Sequence, residues 1–108
     1  MASTFGNTLT QGIGTTPVTV KTTINNGNTT VIGMSLTNVT ENLITADISL
    51  DDGVTTAYFI KGVIVPANQS LRVINGGEKL IMGPSTQLIM SASTDDAIDL
   101  VMSYVEIT

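Results

Sequence analysis

The chain contains no cysteine, no histidine and no tryptophan. Without cysteine there are no disulfides and no thiolate chemistry, and the redox compartment is left undetermined. Losing histidine as well removes the commonest general base, the commonest nucleophile and the usual transition-metal ligands. Aromatic residues make up 4% of the chain, namely Phe5, Tyr58, Phe59 and Tyr104, so a core has to be built from Val, Ile, Leu and Met. Charged residues make up 12%, roughly half the share of an ordinary globular domain. Lys21, Lys61, Arg72 and Lys79 are the only cations, and the net charge is −5. Four scattered cations cannot form the phosphate-neutralising stripe that nucleic acid requires, so no nucleic-acid partner is expected. No apolar run approaches the ~18 residues of a spanning helix, and no membrane partner is expected either. Met1 to Phe5 carries neither a basic region nor an apolar one, so the expectation is a soluble chain without a signal peptide, made in a host cytoplasm.

What is present is enough for one small domain. The 108 residues are 42% hydrophobic, which excludes intrinsic disorder. A domain of this size buries only about 60–70% of the surface its unfolded chain exposes, so the core is thin. The polar remainder is mostly Thr, Ser and Asn. Such a surface has little electrostatic self-repulsion, and much of it is suited to lie against other protein.

Residues 1–16 are rich in Gly and Thr, with Phe5, Leu9 and Ile13 as isolated apolar positions. Gly6, Gly12 and Gly14 deny this stretch a helix. It reads as an extended N-terminal arm, either a frayed terminus or a segment docked on a neighbour. Three large apolar side chains gain nothing in a solvated tail, which favours docking.

From Pro17 to Thr108 the chain reads as short strands divided by turn chemistry. The expected strands are Val18 to Thr23, Thr29 to Asn38, Ile44 to Leu50, Thr55 to Val63, Leu71 to Ile74, a short segment around Leu80 to Met82, Thr86 to Ala92, and Ile98 to Ile107. Ile32, Met34 and Leu36 are expected on one face of the second, and Ile44 to Leu50 alternates cleanly. Asn25-Asn26-Gly27-Asn28, Asp51-Asp52-Gly53, Pro66-Ala67-Asn68-Gln69, Asn75-Gly76-Gly77 and Ser93-Thr94-Asp95-Asp96 supply the breaks. The Asp-Gly turn predicts a hairpin of the strands on either side. Turn signals every ~8–12 residues predict an all-β fold, an antiparallel β-sandwich of jelly-roll type with about eight strands.

The last strand is unusual. Ile98, Leu100, Met102 and Tyr104 lie on one face, and Val101, Val105 and Ile107 on the other with only Asp99 and Ser103 between. A strand apolar on both faces needs cover on both. A β-bulge that switches faces would account for it within one subunit, and burial against a second subunit would account for it in an oligomer.

Chemistry has few candidates. Asp51-Asp52-Gly53 and Asp95, Asp96 and Asp99 lack the ligand spacing of a calcium loop and read as turn residues. No metal and no cofactor is expected. There is no phosphate loop, and a paired-carboxylate glycosidase would lack a sugar platform. Asn28, Asn38 and Asn68 head glycosylation sequons that read as coincidence in so Asn- and Thr-rich a chain. Met34, Met82, Met90 and Met102 read as core fillers. An enzyme is not expected.

The order of several segments resembles a group of small structural proteins of tailed phages, cyanophages and other aquatic phages in particular. The segments are Thr15-Thr16-Pro17-Val18-Thr19-Val20, Val31 to Asn38, Thr56-Ala57-Tyr58-Phe59-Ile60-Lys61-Gly62, Ile64 to Leu71, and Val101 to Ile107. The resemblance implies a virion component with a sandwich fold. It would be a capsid decoration (cement) protein, or else a neck, tail or baseplate component; no catalytic residues come with it. The expected partners are further copies of the chain, with a trimer as the guess, and the major capsid protein or other virion proteins. Phe5, Leu9 and Ile13 are the expected anchors of the arm, and Val101, Val105 and Ile107 the expected subunit contacts. A lectin-like receptor-binding module is the alternative from another class, resting on Tyr58; Phe59 alternates with Ala57 and is expected inward.

Overall fold

A computed structural model describes residues 2–74 and 79–108. The expected Asn75-Gly76-Gly77 turn lies outside the described residues. Among them there is no helix, and nine strands run in chain order: β1 Ser3–Ile13, β2 Val18–Thr22, β3 Asn28–Asn38, β4 Ile44–Asp51, β5 Thr56–Val65, β6 Ser70–Ile74, β7 Leu80–Met82, β8 Gln87–Ala92 and β9 Ile98–Ile107. The eight strands expected beyond Pro17 are all present, each within two residues of its expected bounds. The ninth is β1, formed by residues read as an arm.

The strands make two antiparallel sheets. Sheet A has the order β1-β9-β3-β6, with β7 pairing β3 in line with β6, and sheet B has the order β2-β8-β4-β5. The connectivity follows from nested pairing. β1 pairs β9, β2 pairs β8, β3 pairs β6 and β7, and β4 pairs β5. The whole chain is thus one long hairpin with its tip at the Asp51–Thr56 turn. That hairpin is rolled so that β9 also meets β3 and β8 also meets β4. Counting β6 and β7 as one interrupted edge strand, this is the jelly roll. The tip forms where expected: Asp51 Oδ1 accepts from the Gly53 N–H, and Asp52 Oδ1 accepts from those of Val54 and Thr55. Those two bonds hold the Asp52 carboxyl below its usual pKa.

The core between the sheets is aliphatic. Val31, Met34, Leu36, Ile44, Ile48, Val65, Leu88, Met90, Ile98, Leu100 and Met102 are all buried. At one end the core closes on a polar knot. Asn38 is fully buried and its Nδ2 donates to the carbonyls of Asn42, Val65 and Pro66, while its Oδ1 accepts from the N–H and Oγ1 of Thr40. Thr23 Oγ1 donates to Thr29 Oγ1 in a second buried polar pair.

Bulges decide which side chains face the core. Along β1 the pairing with β9 is regular from Ser3 to Thr10, then shifts before Ile13. Gly12 takes a positive φ of 69° there, and its N–H donates to Asp99 Oδ1. A glycine in the left-handed region is what such a bulge needs. The extra residue reverses parity, so Phe5, Asn7, Leu9 and Gln11 face out while Ile13 turns in. Ile13 is 2% exposed and belongs to the core. It is therefore not an anchor for a neighbouring subunit, contrary to the sequence expectation. A second shift lies between Val31 and Gly33 on β3, leaving Val31 buried and Ile32, expected beside Met34 and Leu36, on the outer side. In β5 two shifts flank Ile60, and Phe59 is part-exposed rather than inward.

Two substitutions separate the core role of Ile13 from the surface role of Leu9. Ile13→Ala is expected to destabilise the isolated domain by roughly 2–5 kcal/mol. Leu9→Ala should stay within about 0.5 kcal/mol. Chemical denaturation at low protein concentration reads both; comparable losses would mean that β1 is not placed as described.

Candidate assembly surface

The outward faces of the two sheets differ in chemistry. In sheet B, the register places Thr19, Ile89, Ser49 and Tyr58 in one row and Asp47 beside Ser91 in another. Asp47 pairs with Lys61 at 3.7 Å and accepts from the Gly62 N–H. That face carries hydroxyls and charge, with apolar side chains exposed along its β5 edge at Tyr58 and at Ile64, which lies opposite Thr45.

On sheet A the exposed apolar side chains run across the whole face rather than along one edge. Phe5 lies opposite Val105, Val105 opposite Thr30, and Thr30 opposite Ile81, which makes one row across four strands. Leu9, Val101, Ser35 and Arg72 make a second row. Phe5 is 75% exposed, Leu9 69%, Ile81 69% and Val101 49%. Between the rows Ile32 lines two shallow hollows, one with Val101, Ser103 and Arg72, the other with Phe5, Asn7 and Ser103. Ile107 sits on the same face by register, between Ser3 and Asn28. Five expected contact residues (Phe5, Leu9, Val101, Val105 and Ile107) are thus brought onto one face. Ile32 and Ile81 belong there too. Ile81 carries no alternation signal in a three-residue strand, and only the bulge reveals Ile32.

The doubly apolar last strand has a structural reason. β9 keeps strict alternation: Ile98, Leu100 and Met102 are buried, and Tyr104 and Glu106 follow on the inward side. No bulge switches its faces; the bulges sit on its neighbours β1 and β3. The apolar residues Val101, Val105 and Ile107 therefore stand on the outside of the sandwich.

Between β1 and β9 of sheet A and β2 of sheet B, the inward side is sealed by an aromatic and an ion pair. Tyr104 lies against Gly6, and a Cβ there would come within 2.8 Å of the Tyr104 hydroxyl, so a larger residue would have to displace the ring. Lys21 reaches across from β2, with its Nζ 4.2 Å from the Tyr104 ring centroid and 2.9 Å from Glu106 Oε2. Burial pushes the Lys21 pKa down, but the hydrogen bond to Glu106 and the charges of Tyr104 and Glu106 outweigh it, and the net shift is upward. At the opposite end of the β1–β9 pair, beyond Ile13 and Ile98, Asp95 Oδ1 accepts from the N–H and Oγ1 of Thr15, which ties the β1–β2 link to the β8–β9 loop and lowers the Asp95 pKa.

Among the described residues no three His, Cys, Asp or Glu side chains gather as a metal site. Tyr58, the candidate sugar platform, is exposed, but Lys61 Nζ lies 4.5 Å from its ring centroid and occupies one face of the ring. The sequon residue Asn38 is buried and fully engaged by its own chain.

No protein-family model matches the chain, and no curated protein matches it. Among solved structures it is similar to a pentameric capsid protein isolated from metagenomic phage sequences, with 17% identity and a TM-score of 0.42. The likeness covers 98% of this chain and 60% of that one, so the chain spans under two thirds of that protein's length.

The Lys21 pair yields a prediction with a definite sign. A lysine whose folded pKa lies above the unfolded value near 10.5 contributes stability that is complete below that value. The contribution vanishes as pH rises through the folded pKa. Wild type should therefore exceed Lys21→Met in stability by a constant margin up to about pH 10, and the margin should shrink above it. Urea melts from pH 7 to 11.5 measure it, and a margin growing with pH would refute the pairing.

Proposed function

We propose that this chain is a structural protein of a tailed-phage virion, and specifically a capsid decoration (cement) protein. It assembles with copies of itself and with the capsid lattice through the outer face of sheet A. The observation that carries the proposal is the apolar face of sheet A running across four strands from Phe5 and Leu9 over Val101 and Val105 to Ile81. Exposed apolar surface of this kind marks an interaction site, and its burial stabilises an assembly by roughly 25 cal/mol per Å². The low charge of the chain and the resemblance of its segment order to small tailed-phage structural proteins support the same reading. We read the chain as an assembly module and not an enzyme, on the absence of His and Cys from its sequence. In this reading it is made in the host cytoplasm and resides in the virion.

A place in the neck, tail or baseplate would use the same face, and labelled protein located in intact particles separates the two. Many copies spread over the capsid are expected; a few confined to the tail would overturn the cement assignment. The lectin-like reading is disfavoured by Lys61 over Tyr58.

Val101→Lys places a charge in the middle of the apolar face, on a side chain that contributes little to the core. We expect unchanged circular dichroism and at least about 30-fold weaker binding to undecorated particles, the equivalent of ~2 kcal/mol at the centre of an interface. Undiminished binding would show that a different surface meets the particle.

A further inference from the structure

We infer that β1 is the site at which two copies of this chain join, edge to edge and antiparallel, about a twofold axis at Asn7. The inference deepens the proposed self-assembly and rests on that reading for its biological setting, but its geometry is independent of any virus. The contact is twofold, which differs from the trimer guessed for the assembly.

The starting point is which edge of the sandwich is left open. β2 is short, follows Pro17, shifts register between Thr19 and Lys21, and carries a charge. β5 is bent by two register shifts and carries Lys61. β6 and β7 are five and three residues long. Each of these edges has a feature that discourages pairing with another chain. β1 is eleven residues long, regular from Ser3 to Thr10, and has no charged residue.

The backbone direction follows from its end. Ala2 and Thr108 exchange both N–H···O=C bonds, at 3.0 and 2.9 Å. Antiparallel alternation then turns the N–H and C=O groups of Thr4, Gly6 and Thr8 toward β9, and those of Phe5, Asn7 and Leu9 toward the open edge. Unpaired backbone groups in this pattern are a template for one more strand.

The sequence of that edge says whose strand it is. Phe5-x-Asn7-x-Leu9 is symmetric in character about Asn7. A twofold there pairs Asn7 with Asn7 of the second copy, and Phe5 with its Leu9, every pair exchanging two backbone hydrogen bonds. Apolar meets apolar, and amide meets amide, which can both donate and accept. The row from Ile81 through Val105 to Phe5 would continue onto Leu9 and Val101 of the second copy, so the apolar face becomes continuous across the joint. The net charge of −5 resists association elsewhere, and β1 brings no like charges together.

A cysteine-free chain allows a clean test. Residues paired on the axis sit ~5.5 Å apart at Cα, within reach of a disulfide. Asn7→Cys should become a covalent dimer on mild oxidation at least about tenfold faster than Val54→Cys, whose thiols meet only by collision. Gln11→Cys should be as slow as Val54→Cys, because it is displaced from its own copy by ~27 Å in this register. Asn7→Pro removes an N–H that faces the open edge, so the monomer should keep its fold while the dimer is lost in sedimentation. Equal cross-linking of Asn7→Cys and Val54→Cys, or a dimer that survives Asn7→Pro, would overturn the inference. Should it fail while Val101→Lys still abolishes particle binding, the edge pairing alone falls; undiminished binding by Val101→Lys would remove the assembly face itself.

Discussion

The pairing of β1 with β9 is the constraint on which the rest of the structure depends. It brings the two ends of the described chain side by side, with Ala2 bonded to Thr108, and so closes the rolled hairpin. It places β9 in the interior of sheet A, between β1 and β3, where its inward residues Ile98, Leu100 and Met102 form the middle of the core. It also fixes the Gly12 bulge, whose N–H is held by the Asp99 carboxylate of β9 itself. Through that bulge a single strand serves two purposes. Its first part shows apolar side chains to the outside, and its last apolar residue, Ile13, completes the core.

The same constraint explains why so uncharged a surface is arranged as it is. Ahead of its bulge β1 has only Thr4, Gly6, Thr8 and Thr10 on the inward side, none of them a large apolar group. The space is filled from elsewhere: Tyr104 covers Gly6, and Lys21 and Glu106 close over Tyr104. The apolar content of β1 is thereby free to face outward beside Val101 and Val105. Sheet B keeps its hydroxyls and its Asp47–Lys61 pair outside, with Tyr58 and Ile64 exposed along its β5 edge.

Much of the fold is legible in the sequence because the strands beyond Pro17 obey the alternation rule and end in recognisable turns. Ile44 to Leu50 and the Asp51-Asp52-Gly53 tip are the plainest cases. β1 escapes such reading because its pattern is inverted: the residues facing the core are Gly and Thr, and those facing out are Phe5 and Leu9. Periodicity assigns a face by polarity, and in β1 the apolar side chains ahead of the bulge are the exposed ones. The outward placement of Val101, Val105 and Ile107 follows from the strict alternation of β9, with Ile98, Leu100 and Met102 on the other side. Ile13 was misassigned because one left-handed glycine reverses parity, and Gly12 resembles any other loop glycine until its φ is known. Ile32 escaped for the same reason on β3, where the shift has no glycine at the displaced residue.

Residue-resolved amide hydrogen exchange on the assembled protein, at a concentration where its mass shows more than one copy, tests most directly whether β1 is the joining element. Thr4, Gly6 and Thr8 are bonded to β9 and should be protected in monomer and assembly alike. The account predicts that Phe5, Asn7 and Leu9 exchange freely in the monomer and become as slow as their neighbours on assembly. Fast exchange at Phe5, Asn7 and Leu9 in a protein demonstrably assembled would contradict it.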